Sequence, residues 1–366
     1  MIGNIPDGWQ KKKLGECVDI LDNQRIPLNS QDRENRIKDK DVSTLYPYYG
    51  ATQQTGYIDD YIFDEELVLL GEDGVMFYDK DKPKAYLISG KTWVNNHAHV
   101  LRAKSNIAVN KYLLNYLNTF HYKGYVSGAT RLKLNQSRMA QIPIPIPPLP
   151  QQEKIVKVLD ISSALIEKQK ELIQKYDLFL KSKFIEMFGN PISNPMGWEV
   201  VKFEDIIVLQ RGHDLPTYER EKSGSIKVFG SNGVLDYHNE AKVKGGGVIT
   251  GRSGTLGKVH YTFEDYWPLN TTLFSKDLKG NNIIFVAYFL EMFKVDRFRQ
   301  GAGVPTLNRN LVHKERTYKI TIALQNKFAQ IVEKIEKIKE QETKKLQHLE
   351  TLHKSLMDKA FKGEIQ

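Results

Sequence analysis

The stretch most suggestive of chemistry is Gly251-Arg252-Ser253-Gly254-Thr255-Leu256-Gly257-Lys258, with the glycines and terminal lysine of a phosphate-cradling loop. A nucleotide loop places four residues between its outer glycines and a Ser or Thr after the lysine. Here five residues separate Gly251 from Gly257, and Val259 follows Lys258, so the magnesium-binding hydroxyl is missing. The stretch reads better as a tight turn whose amides approach nucleic-acid phosphate, because glycine permits close contact. His97-Ala98-His99 alternates as a strand does and has no third ligand at a convincing spacing, which argues against a metal. Glu72-Asp73 and Asp79-Lys80-Asp81-Lys82 offer carboxylates to a nuclease site, but exposed loop charge is the simpler expectation. Asn190-Pro191 and Asn194-Pro195 lack the Pro-aromatic pair of an amino-methyltransferase motif and read as turns. No Ser-His-Asp or Cys-His set stands out.

Charge points to a polyanion rather than to catalysis. The 366 residues carry a net charge of +9. Between Lys82 and Gln152 there are ten Lys or Arg residues and no Asp or Glu, whereas residues 1–81 hold 17 acids against nine bases. Lys294 to Lys319 repeats the basic bias, with seven bases and two acids. A cation-only stretch within a folded segment is the sequence signature of a polyanion-binding face.

The elements that would position these residues occur twice. Gly8-Trp9 with Lys13-Leu14 recurs as Gly197-Trp198 with Lys202-Phe203, and Tyr48-Tyr49-Gly50-Ala51 as Val228-Phe229-Gly230-Ser231. Leu69 to Gly74 answers to Ile249 to Gly254, and Trp93 with Asn95-Asn96 to Trp267 with Asn270. Ser127-Gly128-Ala129 through Leu134-Asn135 answers to Gln300-Gly301-Ala302 through Leu307-Asn308. The proline strap Ile142-Pro143-Ile144-Pro145-Ile146-Pro147-Pro148 recurs, without its prolines, as Lys319 to Gln325. This is a duplicated unit of mixed domain, strap and long helix. Leu67–Leu70, Lys84–Ile88 and Val248–Thr250 read as strands, and Asn110–Phe120 and Ile284–Lys294 as helices.

Each strap leads into a long amphipathic segment, and proline suits the entry to a helix. In the first, the doublets Val158-Leu159, Leu165-Ile166, Leu172-Ile173 and Phe179-Leu180 recur every seven residues. In the second, Phe328, Ile335, Leu349 and Leu356 share one heptad position and Ile331, Ile338 and Leu352 another, interrupted by Glu342 and Lys345. Such a period marks an apolar stripe for a partner helix, and each long helix is the obvious partner of the other, antiparallel. At about 37 residues each would span roughly 55 Å. The expected class is therefore α+β: two pseudo-symmetric globular α/β domains separated by two long helices in an antiparallel coiled coil. The expected boundaries are 1–150, 151–188, 189–324 and 325–366.

Composition narrows the setting. No apolar run reaches the roughly 20 residues of a membrane span. The opening Met1-Ile2-Gly3-Asn4-Ile5-Pro6 lacks a signal-peptide pattern, and a single cysteine, Cys17, reads as a small core residue. A cytoplasmic chain is expected, with no membrane partner.

Three segments together resemble the specificity subunit of type I restriction-modification systems: "IPIPPLPQQEKIV", "FIEMFGNP" with "GWEVVKFEDI", and "VITGRSGTLGKV" with "WPLNTTLF". The resemblance covers essentially the whole chain. It implies that each globular half is a target-recognition domain for one part of a split duplex DNA site. The helices would act as spacer and dock methyltransferase (modification) subunits, and a restriction motor-nuclease subunit would join for cleavage. No catalysis is implied here; S-adenosylmethionine, ATP and magnesium would belong to those partners. The chain departs in its short lead before Trp9 and in the loss of prolines from its second strap.

The resemblance transfers no list of base-reading residues, so these come from chemistry. Base edges are read by Arg, Lys, Asn and Gln, and phosphate is held by Lys, Arg and free amides. The candidates are Gln53, Gln54, Lys123, Arg131, Lys133 and Arg138 in the first half, and Asn232, Arg252, Lys258, Arg297, Arg299 and Arg309 in the second. Helix pairing and docking fall to Leu159, Ile166, Ile173, Leu180, Ile331, Ile335, Ile338, Leu349, Leu352 and Leu356. Alternative readings are the same fold serving a fused methyltransferase-nuclease, a nuclease in its own right, or a coiled-coil scaffold.

Overall fold

The computed structural model describes residues 5–301 and 305–365. Met1–Asn4 of the signal-peptide reading and Ala302 of the repeat match lie outside them. The chain forms two compact units, residues 1–168 with 346–366 and residues 169–345, so that each unit contains part of both long helices.

In the first unit a four-stranded antiparallel sheet runs in the order Val18–Ile20, Ala98–Ala103, Leu67–Gly71, Ala85–Ile88. All five residues of Leu67–Gly71 are buried, as expected of a central strand covered on both faces. The helix Asn110–Thr119 covers one face with Tyr112, Leu113, Tyr116 and Leu117, which its period puts on one side. A second sheet runs Gln54–Ile58, Tyr46–Tyr49, Lys91–Val94, Phe63–Asp64, and Tyr48 pairs in parallel with Trp93. Cys17 is fully buried, and burial pushes its thiol up to about 11.

The second unit repeats this plan. Val208–Arg211, Thr272–Asp277, Gly247–Gly251 and Val259–Thr262 form the first sheet, covered by the helix Ile283–Phe293. Gly233–His238, Ile226–Gly230 and Tyr266–Pro268 form the second, with Val228 parallel to Trp267.

The proline strap is a strand despite its prolines. Pro143–Ile146 pairs with Gln10–Lys13, and Leu14 donates to the Ile142 carbonyl at 2.8 Å. That bond sets the alternation so that Pro143 and Pro145 fall at positions where no ladder N–H is needed. Their outward carbonyls accept instead from the hydroxyls of Tyr116 and Tyr112. In the second unit the corresponding strand is Arg316–Tyr318, paired with Val200–Lys202. The sequence match at Lys319–Gln325 follows this strand directly and keeps the register of the first strap, since the second long helix begins at Ile322 as the first begins at Leu149.

The helices are Leu149–Phe188 and Ile322–Phe361, 40 residues each. Within each unit they run antiparallel. Gln151 reaches the Ile365 carbonyl and Ser162 meets His353 in the first unit; in the second, Gln169 meets Glu342 and Asp177 meets Lys339. Leu159, Ile166 and Leu180 are buried and Ile173 half-buried, as the heptad reading requires. On the second helix one line of covered positions runs through Phe328, Val332, Ile335, Lys339, Glu342, Leu346, Leu349, His353, Leu356 and Ala360, in alternating steps of four and three. One heptad line therefore stands, and the other is corrected by one residue. Ile338 and Leu352 are 37% and 52% exposed, whereas Ile331, like Ile335, is partly buried against the core of the second unit. The error came from following apolar residues, because the true line carries Lys339 and His353. Glu342 does not interrupt the seam; it belongs to it.

Candidate nucleic-acid interface

Four loop segments of the first unit converge at one end of its sheets. The hairpin tip at Gly50 receives the Tyr86 hydroxyl on its carbonyl (2.5 Å), and Asn95 donates to Tyr49 O at 3.1 Å. Glu72 N–H donates to His97 O at 2.8 Å, and Glu72 O accepts from Leu134 N–H at 2.8 Å. Ser127 and Lys133 exchange backbone bonds of 2.9 and 2.7 Å, closing the fourth segment. Gly71 has to lack a side chain, since a Cβ there would strike Val75 and crowd Ala51 O.

Charge on this surface is compensated. Glu72 pairs with Arg25 at 2.9 Å and Lys133 at 3.1 Å, while Asp73 pairs with Arg131 at 2.6 Å and lies 3.0 Å from His97 Nδ1. Both carboxylates are about 15% exposed, so the expectation of freely exposed loop charge fails for Glu72-Asp73. It holds for Asp81, whose side chain is 76% exposed. Beneath them His99 is buried, with Nδ1 2.6 Å from Asp22 Oδ2 and Nε2 2.8 Å from Leu134 O. Both ring nitrogens are thus occupied, and His99 serves to tie Leu134 to the sheet.

The cation-only stretch is likewise interleaved with acids in space. Arg102 pairs with Glu65, Lys111 with Asp160, and Lys84 is buried against Asp79 O. Arg102 and its neighbours therefore do not form the continuous basic face that the sequence order suggested. Segregation along the chain does not survive a fold that pairs distant strands.

The second unit builds the same surface with different side chains. Leu307 N–H donates to Arg252 O at 2.8 Å, as Leu134 does to Glu72, and Ser253 bridges Thr306 as Asp73 bridges Lys133. Gly254 and Gly257 have φ of +77° and +76°, a backbone region suited to glycine, so the glycine-rich segment is the turn expected of it. Arg252 Nη1 donates to Asn270 O at 3.2 Å and Lys258 Nζ to Asn232 Oδ1 at 2.8 Å. These partners are neutral and leave the cationic charge of the surface standing. His260, behind Lys258, is held below its ordinary range by burial and then by that lysine.

The other candidates scatter. Gln53 and Gln54 are exposed on the hairpin tip and the strand leaving it. Arg131 and Lys133 lie on the surface described for the first unit, and Asn232, Arg252 and Lys258 on that of the second. Arg138 is exposed on the short helix Gln136–Ala140 that follows the Ser127–Lys133 segment. Arg299 is exposed in the two-residue strand opposite Thr306-Leu307. Arg309 reaches Leu209 O at 3.5 Å beside the half-buried His313, whose Nε2 accepts from Leu209 N and whose pKa is lowered by partial burial and then by Arg309. Lys123 lies apart, in a cleft with Tyr116, Pro143, Pro145 and Phe361. Arg297 is engaged internally, its guanidinium over the rings of Phe293 (4.5 Å) and Phe298 (4.6 Å) and 3.5 Å from Glu315. Sequence reasoning missed Arg25 and weighed His99 only as a metal ligand, because their partners Glu72, Asp22 and Leu134 lie far along the chain and leave no spacing signal. Among the described residues no three His, Cys, Asp or Glu side chains come together as a metal site, and no helix is long and apolar enough to cross a membrane.

Comparison with known proteins agrees with this duplicated layout. The family described as "Type I restriction modification DNA specificity domain" matches residues 6–175 and again 195–351. A putative type I restriction enzyme specificity subunit of Haemophilus influenzae is 27% identical over 350 residues, covering 89% of this chain and 87% of that protein. A putative type I specificity subunit of Mycoplasma pneumoniae is 25% identical, covering 73% of this chain and 76% of that one. The crystal structure of the type I restriction-modification S subunit from M. genitalium superposes with a TM-score of 0.58 at 15% identity, covering 98% and 97% of the two chains. A chain from a study of complex assembly and conformational transition in the type I system gives 0.61 at 14% identity, covering 99% of both. At that identity the structural matches show the fold, and the double family match shows the rest: the chain belongs to the type I restriction-modification DNA specificity family.

Proposed function

We propose that this chain is the non-catalytic reader of a bipartite duplex site, with residues 1–150 and 189–324 each recognising one block. The observation that supports this most is the four-segment surface built twice on one plan with different chemistry. Glu72-Asp73 with their paired cations stand in one unit where Arg252-Ser253 stand in the other. Unlike surfaces imply unlike blocks, hence an asymmetric site. In this reading the long helices set the spacing and dock methyltransferase subunits, which bring S-adenosylmethionine. A motor-nuclease subunit brings ATP and magnesium chemistry, and the complex acts on DNA in the cytoplasm.

The test is selection from a random duplex pool by this chain co-purified with the methyltransferase encoded beside it. Two short blocks at one fixed spacing are expected, and exchanging residues 189–324 should alter one block only. No enriched sequence from a folded, assembled complex would sink the reading.

A further inference from the structure

The hairpin tip carries the same irregularity in both units. Tyr48 pairs with Gly56 and Tyr49 with Gln54, which leaves Thr55 as an extra residue. Val228 pairs with Asp236 and Phe229 with Val234, which leaves Leu235 as the extra one. A bulge bends its strand and re-aims the side chain it carries. Each bulged side chain here rests against a glycine. A Cβ on Gly50 would lie 2.9 Å from Thr55 Cγ2, and one on Gly230 would lie 3.5 Å from Leu235 Cδ2. Bulge and glycine thus make a seat that recurs at the same place in each unit.

What occupies the seat differs. The first unit presents Gln54 and Thr55, both polar and exposed. The second presents Val234 and Leu235, 47% and 62% exposed, one glycine beyond Asn232, which holds Lys258. Single exposed apolar residues are ordinary. Two in succession, aimed by a bulge and adjoining a cationic, amide-bearing surface, ask for an apolar feature on a polyanion. Duplex DNA offers one prominent apolar group in its major groove, the 5-methyl of thymine.

We propose that Val234 and Leu235 read a thymine methyl in the block recognised by the second unit, while Gln54 and Thr55 take a polar base edge at the corresponding place. This rests on the bipartite-reader proposal. In the selected duplex, each thymine is replaced singly by deoxyuridine, which removes only the methyl, and binding by the assembled complex is measured. At one thymine or more the replacement weakens binding about fourfold, the value of burying one methyl-sized group, ~0.8 kcal/mol. With Leu235→Ala, an exposed position whose variant is checked by its melting curve, the thymine-to-deoxyuridine ratio at that position falls to about one. Thr55→Ala leaves that ratio unchanged. Two selected blocks with no deoxyuridine effect, or an effect that survives the Val234→Ala/Leu235→Ala pair, overturn this assignment and leave the bipartite reading intact. Failure to select any sequence overturns both.

Discussion

Gln152 Oε1 accepts the backbone N–H of Val109 at 3.0 Å, while its Nε2 donates to Ile107 O and Pro147 O at 2.8 and 2.9 Å. One buried side chain thus fastens the strap, the first turn of the long helix and the start of the helix Asn110–Thr119. Gln325 holds the same post in the second unit, accepting from Asn282 N–H and donating to Asn281 Oδ1 and Ile320 O. The angle at which each long helix leaves its domain rests on this amide as much as on proline. Loss of the prolines from the second strap is therefore compensated locally.

Replacing Gln152 by Leu strands one donor and two acceptors in the interior. Each buried orphan costs about 1–3 kcal/mol, so a total near 3 kcal/mol is expected, allowing for partial relaxation. Urea unfolding of Gln152→Leu measures it, with Gln325→Leu as the matched case. A loss below about 1 kcal/mol in both would mean that the glutamines are not the fastening.

The helix seam gives a second expectation. Ile166→Ala, at a site 8% exposed, should cost about 2–4 kcal/mol. Leu352→Ala, at a site 52% exposed, should stay within about 0.5 kcal/mol. Leu165 and Phe179, each 47% exposed, lie on the outer side of the first long helix in the first and second units respectively. Leu165→Asp should leave thermal stability unchanged and abolish co-purification of the methyltransferase. Retained co-purification with both Leu165→Asp and Phe179→Asp would move docking off these faces.

The duplication, the long helices and the antiparallel pairing were legible because glycine, tryptophan and heptad spacings are local signals. The second heptad line was misread by one residue because Lys339 and His353 occupy it. Lys339 is accommodated by Asp177 at 2.5 Å and Glu336 at 2.9 Å, and His353 by Ser162 at 2.7 Å. A polar seam position is visible only once its cross-helix partner is known. The binding surface was half legible for a similar reason. Lys133 and Arg131 were chosen for their charge, but their pairing with Glu72 and Asp73 spans about sixty residues, which no local pattern encodes.

Acid should loosen the fold before carboxylates titrate. Burial holds His353 and His313 below the ordinary 6.5, so the folded protein keeps both neutral while the unfolded chain takes up protons. Below about pH 6.5 the unfolded state binds more protons, and unfolding free energy falls as pH falls towards the depressed folded values. Urea midpoints should therefore drop between about pH 7 and 5. His353→Gln should flatten part of that slope by removing one titrating group. An unchanged slope in His353→Gln would show that the seam histidine contributes nothing to it.

Arginine and lysine variants should divide according to what already holds them. Lys258 is bound to a neutral amide, so Lys258→Ala should fold normally, weaken DNA binding by the complex and reduce the salt dependence by about one unit of slope if it meets a phosphate. Lys133 must first leave Glu72, so Lys133→Ala should cost less affinity than Lys258→Ala. Arg297 differs from both. Its guanidinium lies on Phe293 and Phe298 and against Glu315, so Arg297→Ala should lower the melting temperature, while the salt slope of whatever binding remains stays unchanged. Binding titrations at three salt concentrations, run beside melting curves, separate the two classes. A stable Arg297→Ala protein with a reduced salt slope would return that residue to the DNA surface.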